Sequence, residues 1–179
     1  FLISISFLGT VSAQSTDNDS LQPTKLGKWK KPAPTKIAEV DAYIDACAGA
    51  YQEAMDIRKQ YAGIDTLTLN VGEVMAIAGN DAEVIKMKKA EYEALLDRIK
   101  AQENTFTKLP EMAEAAVKAI PVGLKAISAT KAITSTKNAL QLTVEENMAL
   151  LKAVTKQITT LSASPVVEPS EDATPAHVE

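Results

Sequence analysis

IAEVDAYIDACAGAYQEAMDIRKQY, residues 37–61, is the stretch that decides the fold. Ile37, Val40, Ile44, Cys47, Tyr51 and Ala54 recur at alternating intervals of three and four, and Tyr61 resumes the register after Arg58. That spacing lines one narrow apolar seam along a helix, as in a coiled coil. Glu39 and Asp41 near its start, and Arg58 and Lys59 near its end, complement the helix dipole. The helix is expected to end at about Ala62, before Gly63.

Downstream, the same period returns. Asn80 with Glu83 three residues on reads as a capping-box start, followed by the stripe Ile85, Tyr92, Leu95, Ile99, Phe106 and Leu109. Lys88 and Gln102 occupy two positions of that seam. Beyond Pro110, a third, Ala-rich helix is expected from Glu111, with Met112, Ala116, Ala119 and Ile120 on one face. Pro121 and Gly123 kink it, and it resumes through Leu124, Ile127, Ile133 and Leu140. Thr143 and Glu146 form a T-x-x-E capping box, which opens a fourth helix with Val144, Met148, Leu151, Val154, Ile158 and Leu161 inward. Between the first and second helices, residues 63–79 alternate Leu67, Leu69 and Val71 with polar residues. They read as an extended connection with a short helical turn near Glu73–Ala78, because a lone strand has no partner.

The expected architecture is therefore all-α: an elongated antiparallel bundle of four long amphipathic helices over residues 36–162, the third kinked near Pro121 and Gly123. The linker from residue 63 to 80 is long enough for the second helix to fold back, which favours an intramolecular hairpin over a dimeric coiled coil. Residues 14–35 are basic and Pro-rich and read as a linker, and residues 163–179 as an acidic, Pro-rich disordered tail. In the linker, Trp29 lies among Lys25, Lys28, Lys30 and Lys31, a set suited either to an anionic surface or to a tether whose Trp packs back on the body.

At the other extreme of the chain, FLISISFLGTVSA (residues 1–13) is free of charge and ends in small residues. It reads as the remnant of a secretory signal peptide cleaved after Ala13, which implies a secreted or periplasmic protein. No later run is long and apolar enough to expect a transmembrane span in the mature chain. The net charge of −4 comes from the tail beyond residue 163, and the rest balances acids against bases. A balanced body offers no electrostatic footprint for nucleic acid.

Chemistry is sparse. The single His is His177, in the tail, which leaves no imidazole for a triad or an H-E-x-x-H zinc site. No P-loop, dinucleotide or EF-hand motif occurs. Asp41 and Asp45 share a helix face, and Glu145 and Glu146 adjoin a helix start, but such pairs read as solvated faces or dipole complements. No catalytic, cofactor-binding or metal-ligating residue is expected, no cofactor is implied, and the protein is not expected to be an enzyme. Cys47 on the first seam reads as a small buried hydrophobe, with an interchain disulfide as the alternative. Residues 115–144 carry Lys118, Lys125, Lys131 and Lys137 and no acid; they read as a core helix with a mildly basic surface. Asp19-Ser20-Leu21 and Asp65-Thr66-Leu67 resemble the Asp-Ser/Thr-aliphatic triplets that receive O-glycans on exported bacterial proteins. That resemblance implies Ser20 and Thr66 as acceptors, and Asn18 would match an N-glycosylation sequon in a eukaryotic source.

These features point to an exported structural or interaction protein of the cell envelope or extracellular space. Its partner would be a protein, or a second copy of itself, held through helical surfaces. The alternative is a membrane- or lipid-interacting helical protein in which residues 63–79 and 115–142 open onto a bilayer.

Overall fold

The computed structural model of the chain describes Thr24 and residues 26–163 apart from 79–81, and for 65–78, 82 and 124 the backbone alone. Every regular element among these residues is helical: α1 (Ala38–Ala78), α2 (Ala82–Phe106), α3 (Leu109–Lys118) and α4 (Leu124–Ala163). The class is all-α. The division differs from four long helices, since three are long and α3 has ten residues.

The direction of each helix follows from its partners. Tyr61 meets Tyr92, Arg98 meets Glu53, and Gln102 meets Ala50, so α1 and α2 are antiparallel, although the long linker expected to allow the hairpin is itself helix up to Ala78. The chain breaks at Thr107 and Lys108, and α3 carries Pro110 in its first turn, where a missing N–H does no harm. Leu109 and Ala116 of α3 then pack with Val40, Tyr43, Ile44 and Cys47, which continues the course of α2 alongside the start of α1. At Pro121–Gly123 the chain reverses rather than kinks, and Gly123 takes φ +122°, a region an L side chain rarely adopts. α4 then runs parallel to α1: Ile133 joins Val40 and Ile44 at one end, and Val154 joins Ile57 and Tyr61 at the other. The result is an up-down-up bundle in which α2 and α3 share the middle leg.

The first two seams are borne out. Val40, Ile44, Cys47, Tyr51, Ala54 and Tyr61 are buried, as are Ile85, Tyr92, Leu95, Ile99 and Leu109, with Lys88 and Gln102 in register among them. Three further expectations fail. First, α1 continues through Gly63 to Ala78, so 63–78 is not an extended connection. An interior Gly costs a helix about 1 kcal/mol, but Ile64 packs beside Tyr61 against the second core cluster, which favours continuing. Second, α4 passes through residue 143 unbroken, so there is no helix start and no capping box there. The Thr143 hydroxyl is buried and donates to the Ala139 carbonyl one turn back (2.8 Å). Third, Met148 and Ile127 point outward, because the inward face of α4 carries Thr136, Ala139, Thr143, Asn147, Leu150 and Val154. The Asn80 cap, the leader and the acidic tail lie outside the described residues.

Candidate functional site

Residues 26–35 lack helix-forming pattern, yet they lie against the body as a strap over the α1–α4 groove. Leu26 is buried with Tyr51, Ala54 and Ala139, and Trp29 packs beside it. The Trp29 ring sits 5.1 Å from that of Tyr51 at 58°, a tilted aromatic pair. Its indole N–H donates to Ser135 Oγ (3.2 Å), and the Gly27 N–H donates to the Tyr51 hydroxyl. Lys31 reaches Asp45 at 2.7 Å. Of the two sequence alternatives for Trp29, the structure holds the one in which the ring packs back on the body.

The strap starts over a buried charge. Glu146 of α4, 8% exposed, accepts the Thr24 hydroxyl on Oε2 (2.6 Å) and an ion-paired guanidinium N–H of Arg58 on Oε1. Taking a carboxylate out of water is costly unless a countercharge and hydrogen bonds replace the solvent. Here α1 supplies the charge and the strap supplies the hydroxyl. At the next residue of α4, Asn147 donates to the Ile99 carbonyl (3.4 Å), and Gln102 donates to the Ala50 carbonyl (2.9 Å), so buried amides link α4 to α2 and α2 to α1. The arrangement holds elements together.

The other sequence candidates disperse. Asp41 does not pair with Asp45. It turns back onto the chain entering α1, where Asp41 Oδ1 accepts the Thr35 amide (2.7 Å) and hydroxyl (2.8 Å) and Oδ2 the Lys36 amide (3.1 Å). The Thr35 backbone N–H does most to hold the Asp41 carboxyl below the usual carboxylate range, against a smaller opposing effect of desolvation. Lys36 sits at φ +65° to allow this turn. Glu145 faces solvent and accepts from Gln141, on a different side of α4 from Glu146. Cys47 is 1% exposed in the first cluster, where burial pushes its thiol up to about 11 and the neighbouring Tyr43 hydroxyl up as well. An interchain disulfide through Cys47 would require that cluster to open. Thr66 falls within the helical backbone of α1, not in a loop, and Ser20 and His177 lie outside the described residues. Among the described residues no group of three or more His, Cys, Asp or Glu is placed to hold a metal, and no helix is long and apolar enough to cross a membrane.

Sequence reasoning missed the Thr24–Glu146–Arg58 set. Arg58 reads locally as a helix-end charge and Glu146 as a cap residue, and neither rule looks beyond its own helix. Arg58 does fall in register with the seam of the first helix, between Ala54 and Tyr61, where a charge calls for a partner of opposite sign, but no spacing in the sequence points to Glu146.

A second surface lies at the α3–α4 corner. Val117 (56% exposed), Val122 (107%) and Ile127 (58%) are three large apolar side chains open to solvent around one turn. Lys118 and Lys125 beside them are exposed. Compared with known proteins, the chain matches no family model, no curated protein and no solved structure.

Proposed function

We propose that this chain is an exported, non-enzymatic helical protein that acts as a structural or interaction module of the cell envelope or extracellular space. The observation that carries the reading is the use made of its buried polar groups. Arg58, Glu146 and Thr24 tie α1, α4 and the strap together, while Gln102 and Asn147 tie α2 to its neighbours. These side chains join one element to another, and the outer faces are long helical surfaces of the kind that bind partners through i, i+3 and i+4 side chains. Export rests on residues 1–13, whose composition is that of a signal peptide.

The test is mild crosslinking of the native protein in its source cells, with identification of what co-purifies and in which fraction. Enrichment of one or a few proteins of the envelope or medium is expected. Recovery only from cytosol, or no enrichment over an unrelated exported protein, would overturn the reading. A second reading, contact with a bilayer surface, is favoured by the apolar α3–α4 corner and by the lysines beside it.

A further inference from the structure

We infer that the α3–α4 corner is a docking tip for an anionic lipid surface, an inference that rests on the second reading above. Five large apolar side chains stand out as exposed among the described residues, and three of them, Val117, Val122 and Ile127, fall within eleven residues around one reversal of the chain. Scattered singly, exposed apolar residues need no explanation; three along one short reversal of the chain concentrate the exposed apolar surface at this end of the body. Val122 stands at the apex with no protein around it, and the adjoining Gly123 has open space where a Cβ would stand.

The charge at the tip selects the partner. From residue 115 to 144 the sequence has four lysines and no acid, and Lys118 and Lys125 flank the three apolar residues. Lys118 approaches Glu114 at 3.7 Å, but both remain largely exposed, and such pairs hold weakly in water. The first turn of α4 carries no acid, so the positive end of its helix dipole adjoins the same apex with no acid of its own to offset it. An apolar point flanked by two exposed lysines matches a bilayer interface, where acyl chains receive the apex and anionic headgroups meet the ammonium groups. A protein partner fits less well. A stable protein interface buries roughly 800 Å² on each side, which three residues on a convex tip do not offer, whereas lipid envelops a protrusion without a matching pocket.

The corner is tested in the full chain with a placed fluorophore. Trp29→Phe removes the native indole, and Val122→Trp puts one at the apex; a sister protein carries Trp29→Phe with Met87→Trp, an exposed apolar position on α2 beside the far cluster. Both positions are solvent-exposed, and far-ultraviolet circular dichroism confirms that each variant keeps the native helicity. With vesicles of phosphatidylcholine and phosphatidylglycerol whose acyl chains are brominated, the apex indole should shift to the blue and lose half or more of its emission. The indole at position 87 should change little. Lys118→Glu with Lys125→Glu should weaken vesicle association at least tenfold, and vesicles of phosphatidylcholine alone should bind poorly. Association without quenching at position 122 would overturn the corner while leaving bilayer contact standing, carried by another segment. No association at all would overturn both, and equal binding to neutral vesicles would overturn the anionic specificity.

Discussion

Glu146 shows how one residue can carry a tertiary decision. Its carboxylate is buried between Arg58 and Thr24, and removing either partner changes what that burial costs. Arg58→Met should destabilise the fold by about 2–3 kcal/mol, somewhat less than a fully buried broken pair because the guanidinium is partly exposed. Arg58→Met combined with Glu146→Leu should be less damaging than the single change, since no unpaired charge remains. Urea midpoints of the two variants check this, and a double variant as unstable as Arg58→Met alone, or more so, would contradict it. Asp41 gives a pH signature. Its carboxyl is lowered in the fold chiefly by the Thr35 amide, so the stabilisation is fully present above the unfolded-state value and is lost as pH falls through the lower folded one. Asp41→Ala should therefore melt below the native chain at neutral pH, and the gap should close in strong acid; a gap that persists there would mean packing, not ionisation. Cys47, buried and with its thiol raised to about 11, should resist a neutral thiol reagent at pH 7.5 in the folded protein and react readily in urea.

At the scale of the element, α4 separates two readings by a simple substitution. A capping box at Thr143 would place Val144 at the first helical position, where proline is welcome. In the unbroken α4, Val144→Pro removes an interior hydrogen bond and collides with the preceding turn, which costs about 3 kcal/mol or more. A drop of several degrees in melting temperature is expected, and an unchanged temperature would restore the capping box. The reasons α4 is hard to read, while α2 and the first part of α1 are plain, are physical. In α1 and α2 the seams are almost wholly apolar, so the three-four rhythm shows directly, even with Lys88 and Gln102 included. In α4 the inward positions include Thr136, Thr143, Glu146 and Asn147, and the last three bond to the preceding turn, to the strap and to α2 in place of apolar packing. Polar residues in a seam erase its period, and the leftover apolar residues suggested a phase that puts Met148 inside. The strap was illegible for a related reason. Thr24, Leu26 and Trp29 bind across more than a hundred residues of chain, and no local spacing announces a contact with Ser135 or Glu146. Likewise, the alternation at Leu67–Val71 is a two-residue rhythm that the continuing helix overrides.

Across the whole molecule the core divides into clusters without dividing the chain into domains. One gathers Val40, Ile44, Leu109 and Ile133 near the α3–α4 corner; another gathers Ile57, Tyr92, Leu95, Leu150 and Val154 toward the far end. Between them lies a level of small and polar residues, with Ala50 bonded to Gln102 and Ile99 to Asn147, and the strap seals its flank through Leu26 and Trp29. α1 and α4 pass through both clusters, so neither can melt without fraying helices that the other needs. Ile44→Asp in the first cluster and Leu95→Asp in the second should each unfold the entire body. A buried, unpaired carboxylate costs several kcal/mol, comparable to the total stability of about 5–15 kcal/mol that a domain holds. The native Trp29 reports from the strap, in contact with Tyr51 and removed from both substitutions, whereas circular dichroism reports all helices at once. In urea the two signals should therefore coincide for the native chain, and both should be lost without denaturant in either variant. If Leu95→Asp instead kept a packed Trp29 and about half of the helicity, the polar level would be a true boundary and the bundle two cooperative units in series. If light scattering showed a native dimer that either substitution turned into folded monomers, the two seams would join separate chains, and the antiparallel pairing of Tyr61 with Tyr92 would be made between copies.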